Sequence, residues 1–214
     1  VYVLQKKGAC LMSESKKIQL AQSAVVFNEV DHTYNYLGSF LSGVTSLLHR
    51  TLFADKYNGI SKEVLAKAAD YGHNIHEQIE LVDTLGVESQ TPAVQAYLQM
   101  KADLKLTTLA NEYLVSDESY IASSIDIIFD DLTLADIKTT SRLDMEYLSW
   151  QLSMYAYLFE RQNPGLKVPR LLAIWLPKPQ YGKPNIIEVP RKSLDALKVL
   201  IAWDKSITSQ YTNH

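Results

Sequence analysis

The chain has 214 residues, 47% of them hydrophobic, with 21 basic against 24 acidic side chains and a formal charge of -3. That describes one domain of ordinary size with enough apolar residues for a real core, and it excludes a basic tail or a global positive field as the means of holding a polyanion. The single cysteine, Cys10, excludes an intramolecular disulfide, a Cys-rich zinc site and a four-Cys iron–sulfur cluster. Nothing is long and apolar enough to cross a membrane, and the N-terminus lacks a secretory apolar stretch. A cytoplasmic, reducing setting is the expectation. Residues 1–24 are expected to be an N-terminal extension, poorly ordered in part, with Met12 reading as a native start. Residues 25–214 read as a single domain.

In chain order, Val25–Phe27 and Thr33–Leu37 flank the polar stretch Asn28 to His32 and predict a small hairpin. Ser42-Gly43-Val44-Thr45 opens a short helix through Leu48. A stronger helix runs from Ser61, a suitable N-cap, to about Val82, with Val64, Ala68, Tyr71, Ile75, Ile79 and Val82 at a 3.6-residue period. Thr91-Pro92 marks the start of another helix, ending near Leu106. Strands follow at Glu112–Val115, Tyr120–Phe129 and Thr133–Thr140. The next helix, about Asp144 to Arg161, stops at Asn163-Pro164-Gly165. Leu171–Leu176 is nearly all apolar, as befits a strand covered on both faces. Ile186–Val189 reads as an edge strand, and an amphipathic helix from Ser193 to about Ile207 closes the domain. The class is α/β, or α+β by a stricter definition, with helices bracketing a central sheet of mixed direction.

Two of these strands carry the most telling residues. SSIDIIFDD and LTLADIKTT are apolar, strand-forming runs interrupted by Asp126 and Asp136. Carboxylates in half-buried strands are costly unless paired. Asp136 and Lys138 share a face because strand side chains alternate, while Ile137 points to the core. If 130–132 forms a three-residue loop, Phe129 pairs with Thr133 and Asp126 falls opposite Asp136. A two-residue loop reverses the parity and separates them. Two converging carboxylates suit a hard divalent cation, and a lysine two residues on can position a water. That equipment fits metal-assisted hydrolysis of a phosphodiester. The same hairpin also fits acids in ordinary salt bridges with Lys138 and Arg142.

Further candidates lie outside the hairpin. Gly72, His76 and Glu80 form an i, i+4, i+8 row on one side of the Ser61 helix. A mid-helix glycine costs roughly 1 kcal/mol against alanine and makes sense where another backbone or a nucleic acid passes close by. His76 either ligates a metal as neutral imidazole or is satisfied by Glu80. Gln151, with Tyr155 one turn on, sits on the core-facing side of its helix and needs partners. Its choices are a phosphate, the neighbouring sheet or a backbone carbonyl. Glu112 begins the strand before the hairpin, either as a further carboxylate for the ion or as a solvated strand end.

Taken in order, these residues resemble the PD-(D/E)XK nuclease superfamily, and within it the RecB/Cas4-like and phage-type exonucleases. The matching pieces are Gly72 to His76, Ile125-Asp126-Ile127-Ile128, Leu134-Ala135-Asp136-Ile137-Lys138-Thr139, and Gln151 to Tyr155, with SGVTSLL near the N-terminus similar to a segment of phage members. Ser123 stands where the family usually has glycine. Having one cysteine where a cluster needs four sets the chain apart from the iron–sulfur branch. The resemblance implies a restriction-endonuclease-like core and a metal-dependent DNA exonuclease of low sequence specificity, working in phage recombination or DNA repair. It implies Asp126, Asp136 and Lys138 as catalytic residues, and one or two Mg²⁺ ions, replaceable by Mn²⁺, held by Asp126, Asp136, the Ile137 carbonyl and His76. Gln151, Tyr155 and Thr139 would contact the substrate, with Glu112 and Glu80 supporting the ion's ligands from outside. The expected partner is DNA with a free end, alongside a second copy of the chain or a recombination protein, and no membrane. A nuclease-fold protein that binds DNA or a partner without cutting is the alternative.

Overall fold

The computed structural model describes residues 18–211. Met12 and Cys10 lie outside the described residues. The remainder of the expected extension, 18–24, is tied to the domain: the Ala21 N–H donates to Asn163 Oδ1 (2.8 Å), and the Ala21 carbonyl accepts from Gln162 Nε2 (3.0 Å) and from the Tyr113 hydroxyl.

Three short strands open the domain as an antiparallel meander, β1 (Val26–Asn28), β2 (Thr33–Tyr36) and β3 (Ser39–Gly43). Leu37 and Gly38 both take positive φ (49° and 89°), as the two-residue turn between twisted strands demands. β3 runs straight into α1 (Val44–Thr51). Ser42 and Gly43, expected to open that helix, are instead the end of a strand, because they pair in parallel with Ile121 and Ala122 far along the chain. α2 (Lys62–Leu85) starts at Ser61, whose hydroxyl accepts from the Val64 N–H, and ends at Gly86 with φ 65°. α3 (Pro92–Asp103) stops three residues before Leu106, where Lys105 turns into the left-handed region (φ 54°).

β4 (Thr108–Ser116) and β5 (Ile121–Phe129) pair antiparallel over most of their length, with one bulge between Thr108 and Ala110. β6 (Leu134–Lys138) follows, then α4 (Met145–Gln162), β7 (Leu171–Trp175), β8 (Asn185–Glu188) and α5 (Leu194–Tyr211). The eight strands form one mixed sheet in the order β1-β2-β3-β5-β6-β7-β8, with β4 on β5, and β8 at the edge as expected. Helices α1, α4 and α5 cover one face through Leu47, Leu152, Phe159 and Leu200. Helices α2 and α3 cover the other through Ile75, Ile79, Val94 and Tyr97. This is the expected α/β arrangement, a mixed sheet between two helical layers.

Phe159 is fully buried at the centre of the larger layer and meets the Tyr113 ring edge-on, 6.0 Å between centroids. Phe159→Ala removes that ring from a close-packed site and is expected to cost about 3–5 kcal/mol in urea unfolding, with no change in the slope.

Candidate active site

The hairpin between β5 and β6 has the odd loop on which the convergence of its acids depends. Phe129 donates its N–H to the Thr133 carbonyl (3.0 Å), Leu132 closes a turn on Phe129 (2.9 Å), and Leu132 takes φ 66°. This is a three-residue loop, a turn followed by one left-handed residue. The ladder is Ile128↔Leu134 and Ile127↔Ala135, so the register places Asp126 across from Asp136.

The ladder stops there for a structural reason. One edge of β5 is occupied by β4 from Phe129 to Ala122. The other edge carries β3 at its start, on Ile121 and Ala122, and β6 at its end, on Ile127 and Ile128. Residues 123–126 therefore have no strand on that side, and side chains fill the gap. The Asp126 carboxylate reaches across to accept the Ile137 N–H (2.7 Å), a donor that continued pairing would have used. Tyr34, buried in the meander, hydrogen-bonds to the Ser124 backbone in the same gap. Ser123, where glycine is usual in the family it resembles, stays in register opposite Val115 and interacts through its hydroxyl with Tyr34 and Tyr155.

Glu112 lies across from Asp126 on the β4 side, between the pairs Asn111↔Ile127 and Tyr113↔Ile125. Three carboxylates thus stand on three adjacent strands, in the order Glu112, Asp126, Asp136. Glu112 holds φ 43°, a left-handed conformation inside a strand, and its Oε2 accepts from the Ser124 hydroxyl (2.8 Å). It stands in mid-strand rather than at a strand end, and its side chain, though exposed, is turned toward the cluster. His76 enters from α2: its Nδ1 lies 3.6 Å from Asp126 Oδ2 and 3.8 Å from Glu112 Oε1, and its Nε2 is 3.1 Å from the Ile137 carbonyl oxygen. Ligand atoms of His76, Glu112 and Asp126 all fall within 4.8 Å of one another.

Asp136 is buried, with its Oδ2 2.5 Å from Lys138 Nζ. That oxygen has an ionic neighbour but no well-directed hydrogen bond. Arg142, the other cation expected near these acids, forms no ion pair with them. Gln151 Nε2 donates to the Tyr155 hydroxyl (2.7 Å), while its Oε1 is buried without a partner. Gly72 packs against Thr139, so that a Cβ there would stand 3.3 Å from Thr139 Oγ1. The close neighbour that explains this mid-helix glycine is the residue after Lys138. Glu80 does not pair with His76; it sits on the acidic side of the site near Glu29, Glu77 and Glu112, and burial together with those charges raises its pKa.

All the expected site residues line one cavity of about 980 Å³ between α2, the sheet and α4. Its electrostatics follow from crowding like charges. Burial pushes the Asp126 carboxyl up to about 7, with Asp136 and Glu112 pushing the same way against His76 and Lys138. For His76, burial opposes the charge, but the Asp126 and Glu112 carboxylates outweigh it and lift the imidazole to about 9. Lys138 likewise has its pKa raised: burial acts against the ammonium, and Asp136 and Asp126 more than offset it. Burial raises the Tyr155 hydroxyl well above its ordinary value.

The cavity also contains residues that strand and helix patterns do not single out: Phe27, Glu29, His32 and Tyr34 from the β1–β2 hairpin, and His73 and Glu77 from α2. His73 and Glu77 flank the His76 position on the same helix and were legible as neighbours of that motif. Nothing local in the hairpin pointed to the cavity.

No helix among the described residues is long and apolar enough to cross a membrane. No family model matches the chain, and no curated protein is similar to it in sequence. Crystal structures to which it is similar include that of SSO0001 (TM-score 0.47, 17% identity, covering 78% of this chain and 75% of that one). A second is a provisionally assigned exonuclease from Eubacterium rectale (TM-score 0.47, 14% identity, 79% of each chain). A third is the alkaline exonuclease LHK-Exo from Laribacter hongkongensis (TM-score 0.43, 14% identity, 78% of this chain and 84% of that one).

Proposed function

We propose that this protein is a metal-dependent deoxyribonuclease of the PD-(D/E)XK type, hydrolysing phosphodiester bonds from a free DNA end with little sequence preference. The observation that carries the reading is the row Glu112, Asp126, Asp136 across three strands, with Lys138 beside it. Like charges placed opposite one another on neighbouring strands are destabilising, and the cationic groups in direct reach of this row are Lys138 and His76, with His73 acting on Glu112 from farther off. A divalent cation would offset that charge, and the donors fit it: carboxylate oxygens, one imidazole and one backbone carbonyl are ligands that Mg²⁺ and Mn²⁺ accept. His76 spans these donors, its Nδ1 facing Asp126 and Glu112 and its Nε2 at hydrogen-bond distance (3.1 Å) from the Ile137 oxygen.

Asp126, Asp136, His76 and the Ile137 carbonyl would hold the ion, and Glu112 is added to that set. When bound, the cation supplies Lewis acidity toward the scissile phosphate and lowers the pKa of a water. Lys138, kept protonated by its neighbours, orients the attacking water and offsets the negative charge that builds on the phosphate. As an ammonium it donates hydrogen bonds and does not act as the base. Tyr155 fixes Gln151, and with Thr139 they contact the backbone of the strand. Contacts of this kind carry no base information, which accounts for the low sequence preference. The setting that suits such an enzyme is the processing of DNA ends in the cytoplasm, in phage recombination or repair.

The test is digestion of linear and covalently closed circular DNA with Mg²⁺, Mn²⁺ or EDTA. Linear DNA is expected to disappear only with metal, while the closed circle resists. Lys138→Gln, checked for folding by circular dichroism, is expected to lower the rate by about 10²–10⁴-fold. Equal loss of both substrates removes the end requirement. Undiminished cutting by the variant removes the role given to the lysine.

A further inference from the structure

We infer that the β1–β2 hairpin is a stacking platform for an unpaired terminal base, with Phe27 as its face and His32 as its flank. The strand end that is cut is then single-stranded or frayed. The inference rests on the nuclease reading above and specifies its substrate.

Phe27 and His32 line the same cavity as Asp126 and Lys138 but come from the meander rather than from the catalytic sheet segment. Phe27 is half-buried, packed at the margin of the small cluster of Val25, Tyr34, Leu41 and Ala122, and His32 is exposed. One face of the Phe27 ring stacks on the buried Tyr34, at 4.8 Å between centroids and 29° between planes. The His32 ring stands at 87° to Phe27, 5.1 Å away, on a residue held at φ 50°. The result is a supported aromatic surface with a perpendicular wall, organised before anything binds. Aromatic rings presented in this way stack on bases whatever their sequence.

Charge determines which part of a nucleotide can lie there. Glu29, on the hairpin, meets His73 of α2 at 3.7 Å, and Glu77 and Glu80 line the same side of the cavity. Phosphates are repelled from this wall and drawn toward Lys138, so the moiety that passes beside the hairpin is the uncharged base. Size agrees. A cavity of about 980 Å³ is at the top of the range that holds small ligands, with room for a nucleotide or two.

The test compares short single-stranded oligonucleotides that carry a normal base or an abasic site at the terminal position, hydrolysed by the full chain with Mn²⁺. The wild type is expected to show a KM about 10–100-fold lower for the base-bearing strand; Phe27→Leu erases that preference with kcat within about threefold, and Phe27→Trp keeps it. A folded Phe27→Leu protein with the wild-type preference overturns the platform and leaves the nuclease reading standing. If the wild type hydrolyses nothing, the nuclease reading falls, and the platform is then judged by the quenching of a terminal 2-aminopurine on binding. Quenching lost in Phe27→Leu supports it, and quenching unchanged in that variant overturns it.

Discussion

Asp126→Asn is expected to abolish hydrolysis and, in the absence of metal, to raise the melting temperature. The two effects have one origin. Asparagine keeps the volume and keeps an oxygen for the Ile137 N–H, so the bridge across the gap beside β5 survives. What it removes is a charge. Above about pH 7 the wild-type residue is an ionised carboxylate between Glu112 and Asp136, held there against burial and against both neighbours. Relief of the burial cost, with that repulsion added to it, outweighs the loss of one of the two carboxylates near His76, since Glu112 remains 3.8 Å from its Nδ1. At pH 8 a gain of about 1–2 kcal/mol, or about 2–8 °C, is expected for a chain of this size. Activity is expected to fall by about 10³-fold or more, because the residue is a proposed ligand of the ion and not a modulator of it. Scanning calorimetry with and without Mn²⁺ reads both sides: the wild type gains stability from metal, and the variant gains little. A variant less stable than the wild type without metal at pH 8 contradicts the picture, since the protein alone would then be satisfying the carboxylate.

Metal affinity is expected to climb steeply from about pH 6 to about pH 8, and with it the rise in melting temperature that Mn²⁺ produces. Asp126 moves from 3.8 to about 7, so its proton stabilises the folded state fully below about pH 4, and that contribution is lost as the pH passes 7. His76 moves from 6.5 to about 9; its stabilisation is complete below about 6.5 and is lost as the pH rises through 9. Both contributions therefore weaken the metal-free protein on the alkaline side. A cation requires Asp126 ionised and His76 neutral, so it replaces the departing protons. Each displaced proton makes affinity about tenfold stronger per pH unit, with about two displaced near pH 6.5 and about one near pH 8. Isothermal titration with Mn²⁺ in buffers of different ionisation heat counts them directly. An affinity that is flat across this range would mean that neither side chain is a ligand.

The fold was largely legible in the chain because its elements are locally consistent. The Ser61 cap, the Thr91-Pro92 start and the Asn163-Pro164-Gly165 stop each mark a helix end by chemistry confined to a few residues. The strands at Leu171–Trp175 and Ile121–Phe129 are apolar enough to identify themselves. β3 was not legible: Ser-Phe-Leu-Ser-Gly has no clear alternation, and it is a strand because Ile121 and Ala122 pair with it from almost eighty residues away. The first half of β4 was hidden by its bulge at Thr108–Ala110, which breaks the period on which strand recognition depends.

For the site, the chain by itself determined which residue types were available and their spacing. Asp126 and Asp136 stand ten apart around a loop that could be odd or even, Lys138 lies two beyond Asp136, and His76 and Glu80 share one helical row. Only the tertiary structure decided the parity of that loop, through the left-handed turn at Leu132, and so placed the two aspartates across from each other. It also turned Glu112 from a strand end into a member of the acidic row, gave Gly72 its neighbour in Thr139, and brought Phe27 and His32 to the cavity wall. The physical reason is the same in each case. Spacing within a helix or strand sets which side chains share a face, but contacts between elements depend on register, crossover and the gap left where β3 and β6 meet opposite ends of β5, none of which is encoded over a few neighbouring residues.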